Sequence, residues 1–325
     1  MPRPLAVAAL ACGFLHLLAA HDAAAQDRYP SKPIQIIVPY STGTTTDILA
    51  RMFAPRLAER LGTQSVVVQN RAGAGSTIGT QSVATAVPDG HTLLMANSTH
   101  AINPSLYAKL PYDSVRDFAG VALVADTGYL VVATPSLGAK TLKDFIAIAK
   151  AKPGAINYAS AGLGTATHLA GAYFASLAGI ELTHVPYKNT PDYIADLVSG
   201  RVQATFVPTA FLLQQIKDGK LLALGVSTPE AMRSPLEVPS TRAVGINYDY
   251  AAWFGMLAPA KTPPAVVELL AKTVRQIVTD GVLDDDYRKI GLTSRVLTQG
   301  DFDAVIRTDI EKLRPVVKAS GAKAD

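Results

Sequence analysis

Cysteine is almost missing from this chain, since Cys12 is the only one among its 325 residues. Cys12 lies in an N-terminal stretch that we interpret below as a cleaved leader, so the mature chain would contain none. A disulfide framework, a thiolate zinc site and a cysteine nucleophile are therefore excluded. Stability must come from a hydrophobic core, and a chain of about 300 residues is long enough to build one.

Charge is also scarce: 17% of the residues are charged, the net charge is +4, and no dense run of Lys and Arg occurs. We therefore expect no nucleic acid as a partner. The hydrophobic fraction of 49% excludes a disordered or fibrous protein. The length indicates about two domains. Beyond the leader, no segment reaches 18 uninterrupted apolar residues, so we expect a soluble mature protein.

The first 25 residues have the pattern of a signal peptide. Arg3 supplies a positive start, Leu5–Ala20 is almost wholly apolar, and Ala23–Ala25 offers the small residues that a signal peptidase requires. The apolar run is short for a membrane span of about 20 residues and lacks a stop-transfer flank. We therefore predict cleavage after Ala25 and export to the periplasm or beyond the cell.

Beyond the leader, strand patterns alternate with helix patterns. Strands are predicted at 34–38, 65–68, 92–96, 130–132, 156–158, 183–185 and 205–207, and helices at 47–61, 142–150 and 168–177. A further helix is predicted after Pro263 and Pro264. Strands that alternate with helices of about 10–15 residues are typical of an α/β fold with parallel sheets.

Two turns share one plan, in which a strand leads through small residues into a helix. They occupy 40–47 and 160–165. Glycine lets the backbone approach a ligand closely, and amides at a helix start favour an anion. In open α/β sheets such turns lie at the carboxyl ends of strands, where ligands bind. Each turn alone is more simply explained as a connection with Ser/Thr caps, but the pair predicts two domains that face one cleft.

Catalysis and cofactor binding find little support. A nucleophile elbow requires Gly-x-Ser-x-Gly, and Ser160 has Tyr158 where the first glycine should stand. The histidines show no zinc-binding spacing. The run Asp284–Asp286 lacks the spacing of a calcium loop. We therefore predict a protein that is not an enzyme and holds no metal or cofactor.

A series of short motifs extends over nearly the whole mature chain. The segments are Tyr29–Ile34, Ile37–Tyr40, Val66–Gly75, Pro88–Leu94, Asn103–Tyr107, Leu110–Asp113, Tyr158–Gly162, His184–Lys188 and Trp253–Pro259. Each is weak alone, but their order is specific. In this order the chain resembles the Bug/TctC-type periplasmic solute-binding proteins of tripartite tricarboxylate transporters.

The resemblance implies a two-lobed periplasmic binding protein fold of type II. In this α/β architecture each lobe is a mostly parallel sheet flanked by helices, and the ligand lies in the interlobe cleft. Lobe 1 would combine 27–127 with 229–325, and lobe 2 would be 128–228. The implied function is periplasmic capture of a small carboxylate for the membrane permease subunits of a tripartite transporter. We expect a monomer.

In this family the carboxylate is held mainly by backbone amides and bridging waters from both lobes, rather than by an arginine. The resemblance implies a ligand-binding set in the two turns, with His168 and Tyr187 beside them. The set is Tyr40, Thr42, Gly43, Thr44, Asp47, Ser160, Gly162, Gly164, Thr165, His168 and Tyr187. Asp47 is expected to pin its turn rather than to touch an anion, which it would repel.

The chain also departs from the family pattern. Thr44 and Thr45 follow Gly43 where the family usually has a second glycine and a proline, Leu163 replaces an asparagine, and Asn189 replaces a glycine. These changes slightly favour an aromatic or partly apolar carboxylate over a citrate-like one. Two other functions remain open: a sensory ligand-binding partner of a membrane kinase, and an exported serine hydrolase.

Overall fold

The computed structural model describes residues 29–63, 65–233, 235–319 and 322. The predicted signal peptide, 1–25, lies outside the described residues, as does its cleavage point after Ala25. Every helix in the described part of the chain is too short or too polar to cross a membrane.

Strands and helices alternate along most of the chain. The strands are β1 (Ile34–Val38), β2 (Val66–Asn70), β3 (Thr92–Asn97), β4 (Phe118–Ala133), β5 (Asn157–Ser160), β6 (Thr183–Pro186), β7 (Ala204–Pro208), β8 (Leu222–Val226), β9 (Ala251–Pro259) and β10 (Thr293–Thr298). The helices are α1 (Thr45–Leu61), α2 (Thr77–Ala84), α3 (Thr99–Leu106), α4 (Leu142–Ala151), α5 (Ala166–Ala178), α6 (Thr190–Ser199), α7 (Thr209–Lys217), α8 (Pro264–Thr279), α9 (Asp284–Ile290) and α10 (Gln299–Ala319).

These strands form one continuous sheet that contains two groups of parallel strands. In the first group β1 pairs with both β2 and β3, so that Gln35 lies opposite Val67 and Thr92. In the second group β5 pairs with both β6 and β7, so that Tyr158 lies opposite His184 and Ala204. Because the strands of each group run in parallel, the turns that follow them lie at one edge of that group.

The long strand β4 joins the two groups. Its residues 118–128 pair with β9, which in turn pairs with β3. Its residues 129–133 pair with β7 and β8. The partner of β4 therefore changes between Gly128 and Tyr129.

The expectation of mostly parallel sheets needs correction, although the α/β class is confirmed. Among the described residues, four strand pairings are parallel and five are antiparallel. The sequence patterns did not predict strands at 118–128 or 251–259. Strand β4 carries the chain from the first group to the second, and β9 carries it back. Two neighbouring strands that cross in opposite directions must be antiparallel.

The core lies on both faces of this sheet. In β3, Leu93, Leu94 and Met95 are fully buried in succession, as expected for a strand covered by helices on both sides. The predicted helix after Pro263 is confirmed as α8, which begins with Pro264 in its first turn and packs against α1 and β4. The turns after β1 and β5 are thereby held on a rigid framework.

Candidate functional site

The first turn connects β1 to α1 and is held by its own side chains. Thr44 caps α1, because its Oγ1 accepts a hydrogen bond from the Asp47 amide at 3.4 Å. The Asp47 carboxylate accepts one from the Gly43 amide at 3.0 Å. Gly43 has φ +85°, a left-handed conformation that favours glycine. Thr44 and Asp47 therefore fix the shape of the turn.

Asp47 is ionised although its side chain is only 2% exposed. Burial opposes ionisation, but hydrogen bonds from Arg51, the Gly43 amide and Asn70 outweigh it and lower the pKa of Asp47. Arg51 Nε lies 3.1 Å and Asn70 Nδ2 lies 2.9 Å from the carboxylate. Its oxygen atoms are thus committed to the turn, in line with the expectation that Asp47 pins it.

The second turn connects β5 to α5 in the same way. Thr165 Oγ1 accepts from the His168 amide at 3.4 Å, and His168 Nδ1 accepts from the Gly164 amide at 3.0 Å. Ser160 Oγ accepts from the Gly162 amide at 3.1 Å. The amides of both glycines are therefore used inside the turn and are not offered to a ligand.

Two neutral histidines support the second turn. The rings of His168 and His184 stack with their centroids 3.8 Å apart. Burial lowers the pKa of His168 to about 4. Burial, together with the neighbouring His168, lowers the pKa of His184 to about 3. Because His168 is uncharged at neutral pH, its Nδ1 keeps the lone pair that accepts the Gly164 hydrogen bond.

An inner cavity lies between the starts of α1 and α5. Residues 44–46 line it from one side and 165–167 from the other, and none of the described lining residues has a charged side chain. The amides of Thr45, Thr46 and Thr167 have no acceptor within the described part of the chain. The Thr45 hydroxyl is buried and has no partner there either. Four unused donors around an uncharged cavity form a site for an anion.

An outer cleft adjoins the inner cavity. Four residues, Tyr40, Ala161, Tyr193 and Phe211, line both spaces. The cleft is otherwise bounded mainly by the loops 72–76 and 186–190.

Polar contacts cross from one group of strands to the other beside these spaces. The hydroxyls of Ser41 and Thr190 lie 2.9 Å apart. The Ala166 amide donates to Thr99 Oγ1 at 3.0 Å. Elements of both strand groups therefore meet around the site.

Five of the eleven sequence-predicted residues line these spaces. Tyr40 lines both, Thr44 and Thr165 line the inner cavity, and Gly162 and Tyr187 line the outer cleft. Burial raises the pKa of Tyr40 to about 12, and its hydroxyl donates to Asn97 Oδ1 at 2.8 Å.

The other six predicted residues lie outside both linings. Five of them hold the turns: Gly43, Asp47, Ser160, Gly164 and His168. Thr42 is exposed and donates to Asn70 Oδ1 at 3.4 Å. The amides of Gly43 and Gly162 are not free for a ligand, because Asp47 and Ser160 accept hydrogen bonds from them.

The sequence analysis missed several lining residues for identifiable reasons. Asn97 ends β3 and Thr99 follows it, so the rule that ligands bind at the carboxyl ends of strands would have found them. Tyr129, Tyr193 and Phe211 come from β4, α6 and α7. Their spacing is that of ordinary core residues, and it carries no signal for a site.

The structure also brings together a serine and a histidine that the sequence analysis did not pair. Ser160 Oγ lies 2.6 Å from His184 Nε2. Ser160 is fully buried, and its Oγ also donates to the Gly162 carbonyl at 3.0 Å. A nucleophile must reach its substrate, so this buried hydroxyl fixes the turn and gives no support to a hydrolase.

Solved structures define the class of protein. BugD, a periplasmic binding protein, matches with a TM-score of 0.85 at 30% identity, over 91% of this chain and 99% of its own. An R. palustris protein solved with adipate matches with a TM-score of 0.86 at 30% identity, over 91% and 99%. MatC from Rhodopseudomonas palustris, solved with malate, matches with 0.81 at 26% identity, over 89% and 100%. The predicted two-lobed type II fold of periplasmic binding proteins is confirmed.

The family is equally clear. Residues 49–322 match the tripartite tricarboxylate transporter family receptor. Protein BugT of Bordetella pertussis is 33% identical over 300 residues, which cover 91% of this chain and 92% of BugT. The chain belongs to this receptor family and is a solute-binding protein, as its motifs predicted.

Proposed function

We propose that this protein is a periplasmic receptor that binds a small carboxylate in the inner cavity and delivers it to a membrane permease. The observation that carries the proposal is the convergence of two helix N-termini, with four unused donors, on one uncharged cavity. Membership of the receptor family supports the same role, and two relatives were solved with adipate and malate. These features support binding rather than catalysis.

The recognition chemistry follows from the donors. The amides of Thr45, Thr46 and Thr167 and the Thr45 hydroxyl would share the two carboxylate oxygens. Hydrogen bonds to a charged acceptor contribute about 1.5–3 kcal/mol each, and each helix N-terminus adds about 0.3–1 kcal/mol. Such a site needs no arginine. Because the donors come from both sides of the cavity, the ligand binds best when both sides reach it together.

We further propose that the lobes are 27–127 with 229–325, and 128–228, joined by a hinge. The change in the partner of β4 between Gly128 and Tyr129 supports this division. Hinge closure around the ligand would reduce the radius of gyration in solution scattering. A ligand that binds without changing the scattering profile would contradict closure but not binding.

The Thr45 hydroxyl provides the test of the binding site. Wild-type protein should be stabilised in thermal-shift experiments by some member of a panel of mono- and dicarboxylates. For that compound, Thr45→Val should weaken binding about tenfold in calorimetry, since one hydrogen bond to a charged group is lost. Thr45→Ser keeps the hydroxyl and should bind nearly as wild type does. Thr293→Val, at an exposed position on β10, is the matched control.

Two results would contradict this proposal. One is full affinity in Thr45→Val, and the other is loss of binding on replacing a single arginine. The transport role needs its own measurement, which is carboxylate uptake by cells with and without the receptor. Unchanged uptake, with a lost transcriptional response to the ligand, would favour the sensory alternative.

A further inference from the structure

The inner cavity and the outer cleft share four lining residues and together present three chemically different zones. The inner zone presents helix amides and threonine hydroxyls. The shared boundary is formed by Ala161 and three aromatic rings, those of Tyr40, Tyr193 and Phe211. The outer zone opens toward the loop 186–190. A ligand anchored at the helix N-termini and long enough to reach the outer cleft would pass along these rings.

The aromatic boundary presents ring surface rather than hydroxyl groups. The Tyr40 hydroxyl donates to Asn97 Oδ1 at 2.8 Å. The Tyr193 hydroxyl is fully buried with Thr205 and the Ala159 carbonyl. The Tyr193 and Phe211 rings lie with centroids 5.0 Å apart. This zone therefore fits an apolar, aryl-sized group.

The outer zone contains one cation. Among the described residues that line the outer cleft, Lys188 has the only charged side chain. The neighbouring acids have other partners, since Asp196 binds the Tyr187 hydroxyl at 2.7 Å and Arg201 at 2.9 Å. No carboxylate within the described ranges lies in salt-bridge distance of Lys188. Its ammonium group is therefore available to an anionic group of the ligand.

Resting on the proposed function, we infer that the receptor selects an elongated dicarboxylate with an apolar, aryl-sized middle. The first carboxylate binds the amides of the inner cavity. The middle lies against the rings of Tyr40, Tyr193 and Phe211. The second carboxylate meets Lys188, which is thereby a specificity-determining residue. A monocarboxylate of the same skeleton uses the first two zones only.

The test compares matched pairs of acids by calorimetry. Terephthalate and para-toluate share an aryl skeleton, whereas adipate and hexanoate share an aliphatic one, and only the first member of each pair has a second carboxylate. Wild type should bind each diacid about fivefold more tightly than its monoacid, the upper range for an accessible ion pair. Lys188→Gln should remove that difference and leave the monoacids within about twofold. Lys143→Gln, at an exposed position on α4, should change nothing.

The aromatic zone is tested in the same series. Terephthalate should bind more tightly than adipate, and Phe211→Leu should narrow that difference. Equal affinity for diacids and monoacids, or an equal loss for both in Lys188→Gln, overturns the role of Lys188. Tighter binding of adipate than of terephthalate overturns the aryl-sized middle. Failure of all four acids to bind also contradicts this inference. The proposed function is contradicted only if no compound in the wider carboxylate panel binds either.

Discussion

The two turns beside the inner cavity reach the same geometry with different chemistry. In each, a threonine caps the helix, and the third helical side chain reaches back to the amide of the glycine before the cap. Asp47 accepts from Gly43 at 3.0 Å, and His168 accepts from Gly164 at 3.0 Å. Two turns of unrelated sequence thus fix the amide of the glycine at the equivalent position. The amides of Thr45, Thr46 and Thr167 remain without an acceptor in the described part of the chain, whereas the Ala166 amide donates to Thr99.

The difference between the turns is the charge of the acceptor. Asp47 is ionised and is paired with Arg51 at 3.0 Å. His168 is neutral and lies in an aromatic stack with His184 and Tyr158. A carboxylate remains an acceptor in mild acid, whereas a protonated imidazole has no lone pair left at Nδ1. The first turn should therefore tolerate acid better than the second.

Mild acid should produce the largest effect. Burial holds the pKa values of His100 and His168 at about 4 and that of His184 at about 3, below the ordinary 6.5. Below pH 6.5 the unfolded chain therefore binds more protons than the folded one, and the free energy of unfolding falls with pH. We expect a loss of about 4 kcal/mol between about pH 7 and pH 5, measured by denaturant unfolding.

Buried acids act in the opposite direction at lower pH. Burial raises the pKa values of Asp126, Asp303 and Asp309, so protonation of these groups favours the folded state. The lowered pKa values of Asp47, Asp89 and Asp113 act in the same direction as the histidines, so the balance between the two groups of acids sets the further change in stability at lower pH. A stability profile that is flat between about pH 6.5 and pH 5 would refute the assignment of neutral, buried histidines.

Asp47→Ala should have the next largest effect. It removes a buried acceptor and leaves the Gly43 amide, Asn70 and Arg51 without their partner. We expect the free energy of unfolding to fall by about 3 kcal/mol, because the buried hydrogen bonds from the Gly43 amide and Asn70 to a charged acceptor are lost, whereas half-exposed Arg51 can be solvated. The measurement is urea unfolding at neutral pH. A loss below about 1 kcal/mol would mean that Asp47 does not hold the first turn.

Substitution of alanine for the equivalent glycine should destabilise the two turns by different amounts. Gly43 and Gly164 both have positive φ, +85° and +75°, so alanine costs about 1 kcal/mol at either position. On Gly43 the nearest neighbour of a methyl is Thr190 at 3.8 Å, whereas on Gly164 it would overlap Leu106 of α3. Gly164→Ala should therefore destabilise the protein by about 2 kcal/mol or more.

The excess cost at Gly164 can be assigned by a double-mutant cycle. In a Leu106→Ala background the overlapping side chain is absent, so Gly164→Ala should cost only about 1 kcal/mol, as at Gly43. Thermal or urea unfolding of the four proteins gives the coupling energy. Equal destabilisation by Gly164→Ala in both backgrounds would mean that the Leu106 side chain does not clash with a methyl group at position 164.

The sequence predicted the features that depend on local pattern. The buried strands at 34–38 and 92–96, the capped turns and the family motifs all follow from short stretches of chain. Strand β9 and the first half of β4 were missed because their pairing is set by the return of the chain between the strand groups. The amides of Thr45, Thr46 and Thr167, which have no acceptor among the described residues, belong to residues outside the predicted set. Spacing alone does not reveal that Asp47 and His168 consume the glycine amides.

His168→Asn should have the smallest effect at neutral pH and is the sharpest test of the comparison. Asparagine Oδ1 lies at about the same reach from the backbone as histidine Nδ1, so it can still accept from the Gly164 amide, but it does not titrate. The loss of ring stacking with His184 and Tyr158 should lower stability by about 1 kcal/mol. The dependence of stability on pH between about 6.5 and 5 should weaken by about one third, because one of three buried histidines is gone. Asp47→Asn is the matched change in the first turn and should leave that dependence unaltered, because Asp47 titrates below this range, its pKa being lowered from the ordinary value. A wild-type pH profile in His168→Asn would show that the acid-sensitive element lies outside the second turn.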